Sequence, residues 1–181
     1  AYKLKSSLFI GYKDDEELKK ALIYLCEDCT KTGMKCANED YSSYDSTVST
    51  GMVCLLGAIS IFKANGARSK KIALLRAVFA MKTLLIDGLD NKTLVIWGRI
   101  LSGFIDTNRG GGIINAIQST TCLMKQDRDY SKMAYRSLIW MMVMGDDNNH
   151  KYRHLDRDKY SKDMFNLFGG IINVDKYEYG P

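Results

Sequence analysis

The chain has 181 residues, 46% of them hydrophobic and 26% charged, the make-up of an ordinary folded domain rather than of a disordered or low-complexity polypeptide. That length suits one domain with a sizeable core, and no apolar run approaches the roughly 20 residues of a membrane span. A formal charge of +5 permits a polyanionic partner without requiring one.

Asp14, Asp15 and Glu16 precede "ELKKALIYLCEDCTKT", so acids crowd the first turn of an amphipathic helix that ends near Gly33. Cys26 and Cys29 form a C-x-x-C inside it, but no second pair completes a zinc set, and plain helix residues are the preferred reading. The five cysteines, an odd count with no secretory signal, point to reduced thiols in a cytosol-like compartment. "MKCANEDYSSYD" predicts a short strand and a polar turn, followed by an apolar helix from about Val48 to Ala64, with "NGARS" as its breaker. "KKIALLRAVFAMKTLLI" predicts a second helix, and "NKTLVIWGRILSG" a hairpin turning at Gly98. Gly110, Gly111 and Gly112 form a loop before the helical run "IINAIQSTTCLMK". "RSLIWMMVM" and "NNHKYRHL" are two strands, "KYSKDMFNLF" is a helix, and "GIINV" is a last strand. The class is α+β, and with one proline and no internal repeat nothing divides the chain into domains.

Three segments carry chemistry. The apolar run before Gly145 stops at Asp146 and Asp147, two adjacent carboxylates that share a site only where the chain turns, at a hairpin tip; "DDNN" is equally good turn chemistry on a solvated loop. Asp40 ends another strand, and Asp45 lies five residues on; clustered carboxylates repel unless a cation shares them, and hard oxygen ligands suit Mg²⁺ or Mn²⁺. Asp45 also stands where an N-cap of the following helix is expected. In "LSGFIDTNRGGGIINAIQ", small residues at Ser102 and Gly103 and the three glycines before a helix let a ligand approach the backbone, and a helix start offers N–H groups to phosphate or ribose oxygens.

In this order, "DYSSYD", "SGFIDT" and "MGDDN" resemble motifs A, B and C of the palm of a viral RNA-dependent RNA polymerase. The resemblance implies a palm with a small antiparallel sheet, an RRM/ferredoxin-like core, packed on helices. It implies that Asp40 and Asp146 hold two divalent ions, Mg²⁺ or Mn²⁺, with Asp147 a weaker or water-mediated ligand. Asp45 falls where the family recognises the ribose 2′-hydroxyl, and Ser102, Gly103 and Thr107 match the motif B pattern of template contact and sugar selection. Gly111 stands where the family often has a ribose-contacting asparagine, so that role lies open between Asn108 and Asn115. "DMFNLFGGIINVDKYEYG" resembles motif D, with Lys176 as the general acid for pyrophosphate or an ordinary surface lysine.

The implied activity is template-directed RNA synthesis, with RNA template and primer and ribonucleoside triphosphates as partners, in the host cytoplasm or the virion. Residues 1–181 form a single palm domain without room for full fingers and thumb, completed by remaining polymerase segments or by self-association. Two alternatives stand beside it: a non-catalytic RNA-binding or assembly module, inactive without fingers and thumb, and a polymerase of the reverse transcriptase kind.

Overall fold

The computed structural model describes residues 14–86, 93–97, 107–130, 132, 141–173 and 178–180. Helix α1 (Asp15–Thr32) starts where the acids predict. Asp14 caps it by accepting the Glu17 N–H at 2.7 Å, and Gly33 ends it in the left-handed conformation, φ 65°. Its buried residues, Ala21, Leu25 and Cys29, recur every four positions and so form one stripe.

The stripe lies on a four-stranded antiparallel sheet. Its strands are β1 (Lys35–Glu39), β5 (Met141–Met144), β6 (Asp147–Tyr152) and β8 (Glu178–Gly180), in the order β5-β6-β1-β8. Strand alternation sends neighbouring residues to opposite faces. Met142 joins Ala21 and Leu25 under α1, with Cys36 packed beside them. Ala37, Met141, Val143 and Tyr152 enter the larger core on the other face. That face is covered by α5 (Thr107–Gln126) and α6 (Arg157–Phe168), whose buried Ile114, Leu123, Tyr160 and Met164 complete the core.

Between β1 and α5 the chain forms β2 (Tyr41–Ser42), the single turn α2 (Tyr44–Thr47), α3 (Thr50–Lys63) and α4 (Ala67–Met81). Strand β2 pairs antiparallel with β7 (Ile171–Ile172). Among the described residues no helix is long and apolar enough to cross a membrane.

Three expectations are corrected. "KTLLI" does not continue α4: it is strand β3 (Lys82–Ile86), paired antiparallel with β4 (Thr93–Trp97). The run TLVIW thus finds its partner on its N-terminal side, where the turn-forming "DGLDNK" separates two strand-prone runs; the hairpin expected at Gly98 falls outside the described residues. The three glycines are not a loop but belong to the first turns of α5. Asp45 is not the cap of α3; Ser49 is, accepting the Met52 N–H, while Asp45 lies inside α2.

Candidate active site

Strands β5 and β6 form a hairpin in which Met144 stands opposite Asp147, leaving Gly145 and Asp146 as a two-residue loop. Gly145 has φ 63°, and glycine with positive φ at the first loop position suits the twist of a tight hairpin. Three fully buried residues, Met141, Met142 and Val143, fasten the preceding strand to both faces of the core. Asp146 is therefore a half-buried carboxylate on a stiff tip, and Asp147 is exposed at the first position of β6.

Strand β1 brings Asp40 to the same end of the sheet. Glu39 stands opposite Asn148, so the residue after β1 continues toward the tip. The Asp40 backbone carbonyl accepts the Asn173 N–H at 2.8 Å, which ties this turn to β7. Asp45 is half-buried on α2, next to Tyr44, whose hydroxyl donates to the Gly111 carbonyl at 2.8 Å. Burial pushes the Tyr44 phenol up, and the charges of Asp146 and then Asp45 push it further. A single buried phenol thus lies within electrostatic reach of both Asp146 and Asp45.

Helix α5 closes the site from the side. A methyl group on Gly111 would sit 3.5 Å from the Tyr44 ring and 3.6 Å from the Gly145 Cα, and one on Gly110 would collide with Leu56 at 2.7 Å. The glycines bring a helix close to the hairpin tip, so the moiety approaching their backbone is the protein itself. Thr107 is half-buried at the first position of α5, and Asn108 is exposed, with its Oδ1 3.9 Å from the Cβ position of Gly145.

Asn115 is fully buried. Its Nδ2 donates to the carbonyls of Gly145 at 3.1 Å and Asp146 at 2.8 Å, and its Oδ1 accepts from Ser119 at 3.1 Å and Asn148 at 3.0 Å. An amide with both donors and both acceptor positions engaged has no capacity left for a sugar. Of the two asparagines considered, Asn108 is exposed and Asn115 is buried against the hairpin loop. Ser102, Gly103 and Lys176 lie outside the described residues.

Sequence reasoning missed Glu39, His150, Asn148 and Ser119, all fully buried behind the tip. For the three strand residues period-two alternation was the available signal: Ala37 and Glu39 share a face, as do Asn148, His150 and Tyr152, and that face is the core.

Among the described residues, no group of three or more His, Cys, Asp and Glu side chains is arranged to hold a metal ion. Mg²⁺ takes only one or two protein carboxylates and completes its shell with water and phosphate, so two acidic segments meeting at one sheet end suit it chemically.

An antiparallel sheet with helices on both faces and a Gly-Asp-Asp tip beside the aspartate that follows its central strand gives the chain the α+β architecture of a polymerase palm. The fold is similar to the crystal structures of the RNA-dependent RNA polymerase of a human picorbirnavirus and of its insertion-loop deletion mutant. Each has a TM-score of 0.64, at 11% and 10% identity over 81% of this chain. The chain spans about a quarter of those polymerases, 26% and 27% of their lengths. At that identity the likeness is one of fold: a viral RNA-dependent RNA polymerase palm-like domain. No protein-family model and no curated protein matches the sequence.

Proposed function

We propose that residues 1–181 are a single palm domain that performs template-directed RNA synthesis, extending an RNA primer on an RNA template from ribonucleoside triphosphates. The observation that carries this reading is the approach of two acidic segments, remote in sequence, to the same end of one sheet. Asp146 stands on the hairpin tip, Asp40 follows the central strand, and Tyr44 feels both Asp146 and Asp45.

In this reading Asp40 and Asp146 hold Mg²⁺ or Mn²⁺, and Asp147, exposed at the start of β6, contributes a weaker or water-mediated contact. When bound, the two ions lower the pKa of the attacking 3′-hydroxyl and neutralise charge on the phosphoryl group and the departing pyrophosphate. The remaining work falls to the chain. Asp45 accepts a hydrogen bond from the ribose 2′-hydroxyl, the group that separates RNA precursors from DNA precursors. Ser102, Gly103 and Thr107 contact the template backbone and the sugar, with Asn108 exposed beside the tip. Lys176 gives a proton from Nζ to pyrophosphate as it leaves.

Primer extension with Mn²⁺ tests the assignment. Asp146→Asn is expected to bring nucleotide incorporation below detection while leaving circular dichroism and melting temperature unchanged; an undiminished rate removes the role given to the hairpin tip.

A further inference from the structure

Behind the tip, polar groups form one continuous buried chain. Asn115 on α5 grips the two loop carbonyls of Gly145 and Asp146. Asn148 on β6 and Ser119 on α5 both donate to Asn115 Oδ1, and Asn148 also donates to Ser119 Oγ at 2.7 Å. The Ser119 hydroxyl also lies 3.4 Å from Glu39 Oε2, so its one proton serves either Asn115 Oδ1 or this carboxylate, and the same carboxylate oxygen accepts from Tyr160 at 3.0 Å and Tyr41 at 3.4 Å. Glu39, Asn115, Ser119 and Asn148 are each no more than 0% exposed. Burying four such groups is costly unless each is paired, and packing alone would be served by apolar residues. The chain ends on the only two backbone carbonyls of the hairpin loop, one of which belongs to the residue whose carboxylate must be aimed.

We propose that Asn115, Ser119, Asn148 and Glu39 are positioning residues that fix the backbone of the Gly145–Asp146 loop, with Asn115 acting on the loop and the other three locking Asn115. The inference rests on the reading of Asp146 as a metal-holding carboxylate for its catalytic meaning. It differs from a sugar-contacting role for Asn115: the amide serves the loop, so its loss disturbs turnover rather than nucleotide affinity.

Amide hydrogen exchange on the metal-free chain reads the positioning directly. Asn115→Leu keeps the branched outline and removes all four hydrogen bonds, and exchange of residues 144–147 is expected to accelerate about tenfold or more. Ser119→Ala, which removes one lock, is expected to give a few-fold acceleration at the same amides. Cys122→Ala, a change in the same core outside the chain of bonds, is expected to affect the tip no more than the amides of α6. Equal acceleration at the tip and in α6 for Asn115→Leu overturns the proposal. If that variant does not fold, Ser119→Ala carries the same comparison, and a tip effect no larger than that of Cys122→Ala overturns it.

Mn²⁺-dependent extension supplies the second readout: turnover lowered about tenfold with nucleotide KM within twofold supports positioning, whereas a raised KM at unchanged turnover makes Asn115 a substrate contact and overturns it. Asp146→Asn separates the two claims. If that variant extends primers normally, the polymerase reading falls while the exchange result still decides whether the loop is held from behind.

Discussion

The two faces of the four-stranded sheet bury polar groups by different means. Under α1, among the described residues, the charged groups form a pair: Lys151 is fully buried and bonds to Asp28 on the helix, which keeps 24% of its side-chain exposure. Under α5 and α6 it is a network, in which the Glu39 carboxylate meets the hydroxyls of Tyr160, Tyr41 and Ser119 and the contacts continue through Ser119, Asn148 and Asn115 to the hairpin loop. A pair fastens one helix to one strand. A network that ends on the loop carbonyls ties the hairpin tip to the core.

Breaking the pair is expected to have the largest effect on stability. Asp28→Ala leaves the Lys151 ammonium buried without its carboxylate, and a cost of about 3 kcal/mol follows, seen as a fall in melting temperature of roughly 6–12 °C. Replacing both members, Asp28→Leu with Lys151→Met, is expected to recover most of that loss, because two apolar groups need no partner. A single variant within about 0.5 kcal/mol of the parent would mean that water screens the pair.

The network face is expected to respond to pH. His150 is fully buried with its ring stacked on Tyr160, and its Nδ1 lies 3.4 Å from Glu39 Oε1 without hydrogen-bond geometry. Burial pushes the imidazole down to about 3 from its ordinary 6.5. The Glu39 charge opposes that shift, but without a hydrogen bond between them burial dominates. Between those two values the unfolded chain binds a proton that the folded chain refuses, so this contribution to stability is complete above pH 6.5 and is lost as pH falls toward 3. Between pH 7 and 4 the loss is about 3 kcal/mol. Urea unfolding between pH 7 and 4 checks it, with His150→Phe as the reference that keeps a ring on Tyr160: the parent should lose stability faster. A parent that gains on the variant in acid would show that Glu39 holds a charged imidazole after all.

This contrast also explains what was legible in the sequence. The hairpin tip was readable because an apolar run ending in glycine and two carboxylates is a local pattern, and α1 was readable because its cap and first-turn acids are contiguous with its stripe. The start of α5 was not, since three glycines have poor helix propensity, and what favours small residues there, Leu56 against Gly110 and the approach of Tyr44 and Gly145 to Gly111, comes from tertiary packing. Strand β3 was hidden because the apolar spacing of "IALLRAVFAMKTLLI" runs on without a breaker, and its state is decided by the partner β4. Glu39 read as one more acid beside Asp40. Alternation puts it on the face of Ala37, but that this face is core depends on the inner position of β1, with β6 on one side and β8 on the other, which is a property of topology.

The smallest expected effects belong to the tip itself, where two glycines 34 residues apart in number, Gly111 and Gly145, face one another for opposite reasons. A methyl group on Gly145 would meet nothing nearer than Asn108 Oδ1 at 3.9 Å, so the cost of Gly145→Ala is that of holding alanine at φ 63°, about 1 kcal/mol. Gly111 has no such φ, and its methyl group would make ordinary contacts with Tyr44 and the Gly145 Cα. Gly111→Ala therefore gains up to about 1 kcal/mol of helix propensity against a slight tightening at the tip. Denaturant midpoints of the two variants should move in opposite directions. If both fall together, the space between α5 and the hairpin, rather than the loop conformation, is what glycine protects here.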